Sequence, residues 1–223
     1  MKMKSEIDIV TGFLGSGKTF FINTFLKNTL VPNETVLIVQ CEEGQQKINT
    51  NLNVKSKIIV KEYDPSKALT TAYLKQMIEF YNPHRVIIEH NGMRLLSEVL
   101  SLFNEDELLK LCCDPVIYHT TDALTFDIFY NNMKELVEPL IVYSNLMILS
   151  NCNMLEKEKL KALKEKLKVL NTNGFIFALN DFGELEEALK RSDVLESSLI
   201  RNIRLAIKNI RFNKLNRRRL TSE

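Results

Sequence analysis

The sequence predicts a doubly wound α/β fold, a mainly parallel sheet of about seven strands with helices on both faces. Three observations carry this. Short β-rich apolar runs alternate with helical stretches along the chain to about residue 190. The runs are nearly continuous in Val, Ile and Leu, as strands covered on both faces are. The first run, around Ile7, Ile9 and Val10, passes through a glycine-rich turn directly into a helical stretch.

The elements follow in order. Residues 35–40 read as a second strand and 57–60 as a third. Asp64, Pro65 and Ser66 read as a helix start, with proline at the first helical position. Leu69, Tyr73, Met77 and Phe80 would be that helix's apolar stripe, and Asn82-Pro83 its end. Residues 85–89 form the next strand and stop at His90-Asn91-Gly92. One long helical stretch is expected over 95–111, a strand over 115–122 and two helices across 123–143. The rest reads as strand 146–149, charged amphipathic helix 156–170, strand 175–179 and helix 183–191.

Residues 1–192 are expected to make one nucleotide-binding domain, and 193–223 a basic amphipathic helix and tail. In that tail, Ile200, Ile203, Ile207 and Ile210 recur at helical spacing, flanked by Arg204, Lys208, Arg211 and Lys214. Such a segment packs on its own domain or docks on an acidic partner or a membrane surface.

The turn after the first strand carries the chemistry. Gly12, Gly17, Lys18 and Thr19 satisfy G-x-x-x-x-G-K-[ST], and Gly15 and Ser16 lie inside it. Three of only seven glycines fall in this loop. Glycines let successive backbone N–H groups point into one concavity, and the helix behind adds its positive dipole end. A polyphosphate fits there, with Lys18 on the β- and γ-phosphates and Thr19 on Mg2+. Ligands of such sheets bind at the carboxyl ends of the strands. Gly44, Gly92, Glu42, Glu89 and Asp122 also fall at that end. Thr19, Glu42, Glu89 and Asp122 are therefore the candidate metal shell, although Asp122 reads equally as a helix N-cap.

Composition narrows the classes. With 223 residues, 45% hydrophobic and 26% charged, the chain is long enough for one α/β domain. A net charge of +2 gives no ground for nucleic-acid binding. No apolar run reaches the length of a membrane span, and the start lacks the pattern of a secretion signal, so a cytoplasmic protein is expected. Cys41, Cys112, Cys113 and Cys152 read as small buried hydrophobes. His84, His90 and His119 show no metal-ligand spacing, and His90 reads as a solvent-facing loop histidine.

With these loops in hand, the chain resembles the CobW / HypB / UreG family of P-loop GTPases, CobW most closely, over about residues 6–190. The run from Val10 to Thr19 is nearly letter for letter the CobW phosphate loop. Glu89-His90-Asn91-Gly92 fits the family's E-x-x-G, and Glu42-Glu43-Gly44 is similar to its N-E-x-G, with Cys41 in place of Asn. Asp122-Ala123 looks like its strand-ending D-A. The resemblance implies coupling of GTP binding and hydrolysis to metal delivery or metalloenzyme maturation. The departures are as informative. The C-x-C-C metal motif has no counterpart in residues 58–67. Ser150-Asn151-Cys152-Asn153 stands where the guanine-reading N-K-x-D is expected. Asn153 offers one carbonyl acceptor and also an amide donor where a carboxylate accepts two bonds, which weakens guanine pairing. No counterpart of the family's C-terminal domain is expected in these 223 residues, and Phe20 replaces a usual Thr and is expected only to pack.

The expectation is a P-loop nucleoside triphosphatase using Mg2+ and GTP, with ATP as the other candidate base. Lys18 and Glu89 are the catalytic candidates, Glu89 through the attacking water. Gly12, Gly15, Ser16, Gly17, Lys18, Thr19, Asn151 and Asn153 are the nucleotide-binding ones. Turnover should be slow, because no arginine stands in the loops as a finger. The bound state would then switch a partner such as a metalloprotein client, with room for a homodimer. Two other classes fit the loop: a nucleotide-gated module that hydrolyses nothing, and an ATP-using small-molecule kinase.

Overall fold

A computed structural model describes residues 4–30, 33–44, 46–52 and 56–194. Seven strands form one sheet: β1 (Glu6–Thr11), β2 (Thr35–Gln40), β3 (Lys57–Glu62), β4 (Arg85–Glu89), β5 (Val116–Asp122), β6 (Leu146–Ser150) and β7 (Phe175–Ala178). Their order is β3-β2-β4-β1-β5-β6-β7, and every pairing is parallel. All seven are the strands expected from the apolar runs, and the central position of β1 places the glycine-rich loop in the middle of the sheet's carboxyl edge.

Side chains alternate between the two faces of each strand, and each face buries a different set of helices. Val10, Val36, Ile38 and Ile87 meet α1 (Lys18–Thr29) and α8 (Glu184–Val194) through Phe21, Ile22, Leu26, Leu185 and Leu189. Ile7, Ile9, Val39 and Ile88 on the other face meet α2 (Thr71–Tyr81), α3 (Leu96–Leu102) and α4 (Asp106–Leu111). Beyond β5, helices α5 (Phe126–Asn132), α6 (Lys134–Val142) and α7 (Lys157–Leu170) cover Met147 and Leu149 through Phe126, Ile141 and Leu167. No helix among the described residues is long and apolar enough to cross a membrane.

Two expected helices differ. The first starts at Thr71, not near Pro65. Asp64 Oδ1 accepts both the backbone N–H (3.0 Å) and the hydroxyl (2.6 Å) of Ser66, closing a separate turn that the chain leaves before Thr70 caps α2 by accepting from the Tyr73 N–H. The face that is fully buried runs through Leu74 and Ile78, while Phe80 is 76% exposed. The second, expected as one stretch over 95–111, is two helices. Phe103 turns into the core, and tight backbone bonds Phe103–Leu100, Asn104–Ser101 and Glu105–Leu102 close the first helix before α4 begins. The expected C-terminal basic helix and tail lie outside the described residues.

Candidate functional site

The glycine-rich loop needs its glycines for geometry. Gly12, Gly15 and Gly17 have φ of 142°, 79° and 88°, the region that L side chains rarely adopt. At Gly17, the left-handed turn opens α1, so Lys18 and Thr19 begin the helix with their side chains at the loop's centre. Ser16 shares a 2.8 Å hydroxyl–hydroxyl bond with Thr120 of β5, which fixes the loop's far side. Gly92 is required by close approach: a Cβ there would stand 2.3 Å from the Gly12 carbonyl oxygen, so the loop after β4 lies directly on the phosphate loop.

Lys18 is 4% exposed. Its ammonium donates to the carbonyls of Gly12 (2.7 Å) and Phe13 (3.0 Å) and makes an ion pair with the Glu42 carboxylate. The Thr19 hydroxyl donates to Glu89 Oε1 at 2.5 Å, and the Gln40 amide donates to Glu89 Oε2 at 2.6 Å. Glu89 leaves β4 on the α1 face, which is why it reaches Thr19. Lys18, Thr19, Glu42 and Glu89 share a cavity of about 650 Å3. Gly15, Gly17, Lys18, Thr19, Glu42 and Glu89 line it together with the apolar Leu14, Phe20 and Phe182.

Thus the structure brings together Lys18, Thr19, Glu42 and Glu89, four side chains from the loop and the ends of β2 and β4. Asp122 stands apart. Its Oδ1 accepts the Leu124 N–H at 2.8 Å and its Oδ2 accepts from the Asn151 amide at 2.7 Å. Neither Asp122 nor Asn151 nor Asn153 lines the cavity. Asn151 sits in a left-handed conformation (φ 56°) at the start of the short 3-10 turn Cys152–Met154. Gln40, Phe182 and Thr120 are the members that sequence reasoning missed. None carried a distinguishing signal: Gln40 closes its apolar strand with a polar side chain, as Glu89 and Ser150 close theirs.

The residues fit Mg2+ with a triphosphate. A hydroxyl and a carboxylate oxygen already meet at 2.5 Å beside a buried ammonium, and hard oxygen donors of this kind are what Mg2+ takes. They do not suit a soft metal. Among the described residues, no three of His, Cys, Asp and Glu converge on a point. Burial, aided by the charge of Glu89, pushes the Cys41 thiol up to about 12, so it stays protonated.

Histidine placement corrects the reading of His90 as solvent-facing: it is 1% exposed, because alternation along β4 turns it to the face opposite Glu89, into the core. Burial, and then the charge of Lys18, holds it down at about 4. The same two causes hold His119, which meets Thr11 Oγ1 at 3.1 Å, down to about 3. In the unfolded chain a histidine protonates near pH 6.5, whereas His119 stays neutral in the fold. The unfolded state therefore binds the proton first as pH falls. Stability is full above about pH 6.5 and is lost toward pH 3 at about 1.4 kcal/mol per pH unit. Urea midpoints measured near pH 7 and near pH 5.5 should show this loss, and His119→Gln should make it about 1.4 kcal/mol smaller. Equal losses in both proteins would rule out His119 as the source.

A glycine-rich strand-to-helix loop on the central strand of a seven-stranded parallel sheet, with a lysine and threonine at the helix start, defines a P-loop nucleotide-binding protein. The chain belongs to the CobW/HypB/UreG family: the family's nucleotide-binding domain matches residues 6–177. Among curated proteins, none matches the sequence. Solved structures share the fold at low identity. Zn(II)-bound YjiA GTPase from E. coli is 17% identical with a TM-score of 0.58, over 78% of this chain and 57% of that one. The chain therefore spans little more than half the length of YjiA. The hydrogenase maturation factor HypB from Archaeoglobus fulgidus is 14% identical with a TM-score of 0.52, over 85% of this chain and 90% of that one. HypB from Helicobacter pylori, in complex with nickel, is 12% identical with a TM-score of 0.53, over 92% and 89%.

Proposed function

We propose that this protein binds a nucleoside triphosphate with Mg2+, GTP being the leading candidate, and slowly hydrolyses its γ-phosphate as a switch in metal delivery or metallocentre assembly. The observation that carries the reading is the Thr19–Glu89 bond at 2.5 Å, with Gln40 holding the second carboxylate oxygen. It sets the Thr19 hydroxyl, which would hold Mg2+, beside the Glu89 carboxylate, which would orient water, next to a helix start whose N–H groups would receive phosphate. When bound, Mg2+ would neutralise charge on the β- and γ-phosphate oxygens, held by Thr19 and, directly or through water, by Glu89. Lys18 would turn its ammonium from Glu42 toward the γ-phosphate, and Glu89 would orient the attacking water. Asp122 and Asn151, bonded to each other, would steady the loop on the base side.

The metal role is supported by the relatives: YjiA is Zn(II)-bound, the Helicobacter pylori HypB is in complex with nickel, and the Archaeoglobus fulgidus HypB is a hydrogenase maturation factor. GTP is supported by the family and by YjiA's description as a GTPase.

The test is a thermal-shift panel of GTP, GDP, ATP and ADP with Mg2+, followed by phosphate release. Triphosphates should raise Tm more than diphosphates, with release on the order of 10⁻³ s⁻¹, as in P-loop proteins without an arginine finger. Stabilisation without release would make the protein a nucleotide-gated binding module. ADP formed only when an acceptor is added would make it a kinase. No stabilisation by any nucleotide would sink the reading.

A further inference from the structure

We propose that Phe182 and Phe20 form the base-binding element of the cavity and grip the nucleobase by stacking, so that purine selectivity is weak. This rests on the triphosphate reading above and names how that same site takes its base.

The cavity's lining is of two chemical kinds. Lys18, Thr19, Glu42 and Glu89 supply charged lining, and Phe20 and Phe182 aromatic lining. A nucleotide has the same division, with anionic phosphates at one end and a flat aromatic base at the other. The phosphates are committed to the loop and the start of α1, and Phe20 is the next residue along that helix.

Phe182 comes from the loop between β7 and α8. The tip of its ring lies close over the phosphate loop: the Cζ, Cε2 and Cε1 atoms would lie 2.1, 2.4 and 2.9 Å from a Cβ placed on Gly17. The ring meets Phe20 at 5.5 Å with an interplanar angle of 51°, so the two aromatic side chains form one continuous apolar surface. The loop that presents it is tied down by its own bonds. Glu184 accepts from the Asn180 backbone N–H (2.8 Å) and side-chain amide (2.6 Å), and Asp181 Oδ1 accepts the Gly183 N–H at 2.5 Å.

This loop also touches the segment expected to read the base edge. The Cys152 N–H donates to the Leu179 carbonyl at 3.0 Å. Yet Asn151 spends its amide on Asp122, and neither Asn151 nor Asn153 lines the cavity. Edge recognition thus lacks its carboxylate, while an aromatic pair lines the cavity. Stacking accepts any base, because every base has a π-face.

Isothermal titration of the full chain with Mg2+ complexes of GTP, ATP and tripolyphosphate tests this, the last being a base-free probe. GTP and ATP should bind within about tenfold of each other, and Phe182→Ala should weaken both by about tenfold or more. Tripolyphosphate binding should stay unchanged, and Phe182→Trp should restore nucleotide affinity. The proposal is overturned if Phe182→Ala leaves nucleotide binding intact, or weakens tripolyphosphate equally while its unliganded Tm matches wild type. It is overturned too if wild type prefers GTP by more than about a hundredfold. Should wild type bind neither nucleotide nor tripolyphosphate, the triphosphate reading itself fails. Binding of tripolyphosphate with nucleotide affinity indifferent to Phe182 overturns only the stacking.

Discussion

Lys18→Ala is expected to remove the triphosphate-dependent rise in Tm and to cut phosphate release by about 10²- to 10³-fold, the loss typical of removing one preorganised donor from developing charge. The ammonium is buried at the phosphate loop, held there by the Gly12 and Phe13 carbonyls, so it has only to turn from Glu42 when phosphate arrives. That pre-placement is why one side chain carries so large an effect. The substitution also leaves Glu42 beside the loop without its cation, and this costs stability for a reason unrelated to phosphate. Pairing it with Glu42→Gln separates the two. The double variant should regain much of the unliganded Tm and still show neither GTP-induced stabilisation nor release. Phosphate release at the wild-type rate from Lys18→Ala would overturn the assignment.

What the sequence disclosed and what it withheld divide along contact range. The seven strands were legible because parallel strands covered on both faces are apolar runs, and no polar residue interrupts a stretch such as Val36 to Val39. Gly12, Gly17, Lys18 and Thr19 were legible because all four belong to one turn and its helix, and local geometry sets their spacing. The helix expected at Pro65 went astray because a side-chain turn at Asp64 competes with helix initiation, and residue preferences at both places are alike. Gln40 and Phe182 were not legible as site members. Their roles depend on Glu89 and Gly17, residues 49 and 165 positions away, and only the strand order brings these together. His90 was misread because a loop residue one step past a strand still obeys the strand's alternation, and that step points it into the core.

Arg85→Ala is expected to lower stability by about 3–5 kcal/mol, the cost of breaking a buried ion pair from one side. Arg85 opens β4 at the amino end of the sheet and is 2% exposed. Its Nε and one terminal nitrogen donate to the two Glu34 oxygens at 2.9 and 3.0 Å, and its other terminal nitrogen donates to Thr29 Oγ1 at 3.0 Å and lies 4.0 Å from Asp8. The guanidinium also stands 5.6 Å from the centre of the Phe25 ring. One side chain thereby joins the end of α1, the entry to β2 and the start of β4. For a domain of this size the loss corresponds to a fall of roughly 6–20 °C in Tm. Lysine cannot reproduce the two parallel bonds, so Arg85→Lys should recover only part of it. Because the pair sits at the end of the sheet opposite the phosphate loop, the Tm increment produced by Mg2+ and triphosphate should survive in both variants. A loss below about 1 kcal/mol would mean that the pair behaves as an exposed one. Loss of the nucleotide response in a variant that still folds would mean instead that the two ends of the sheet are coupled.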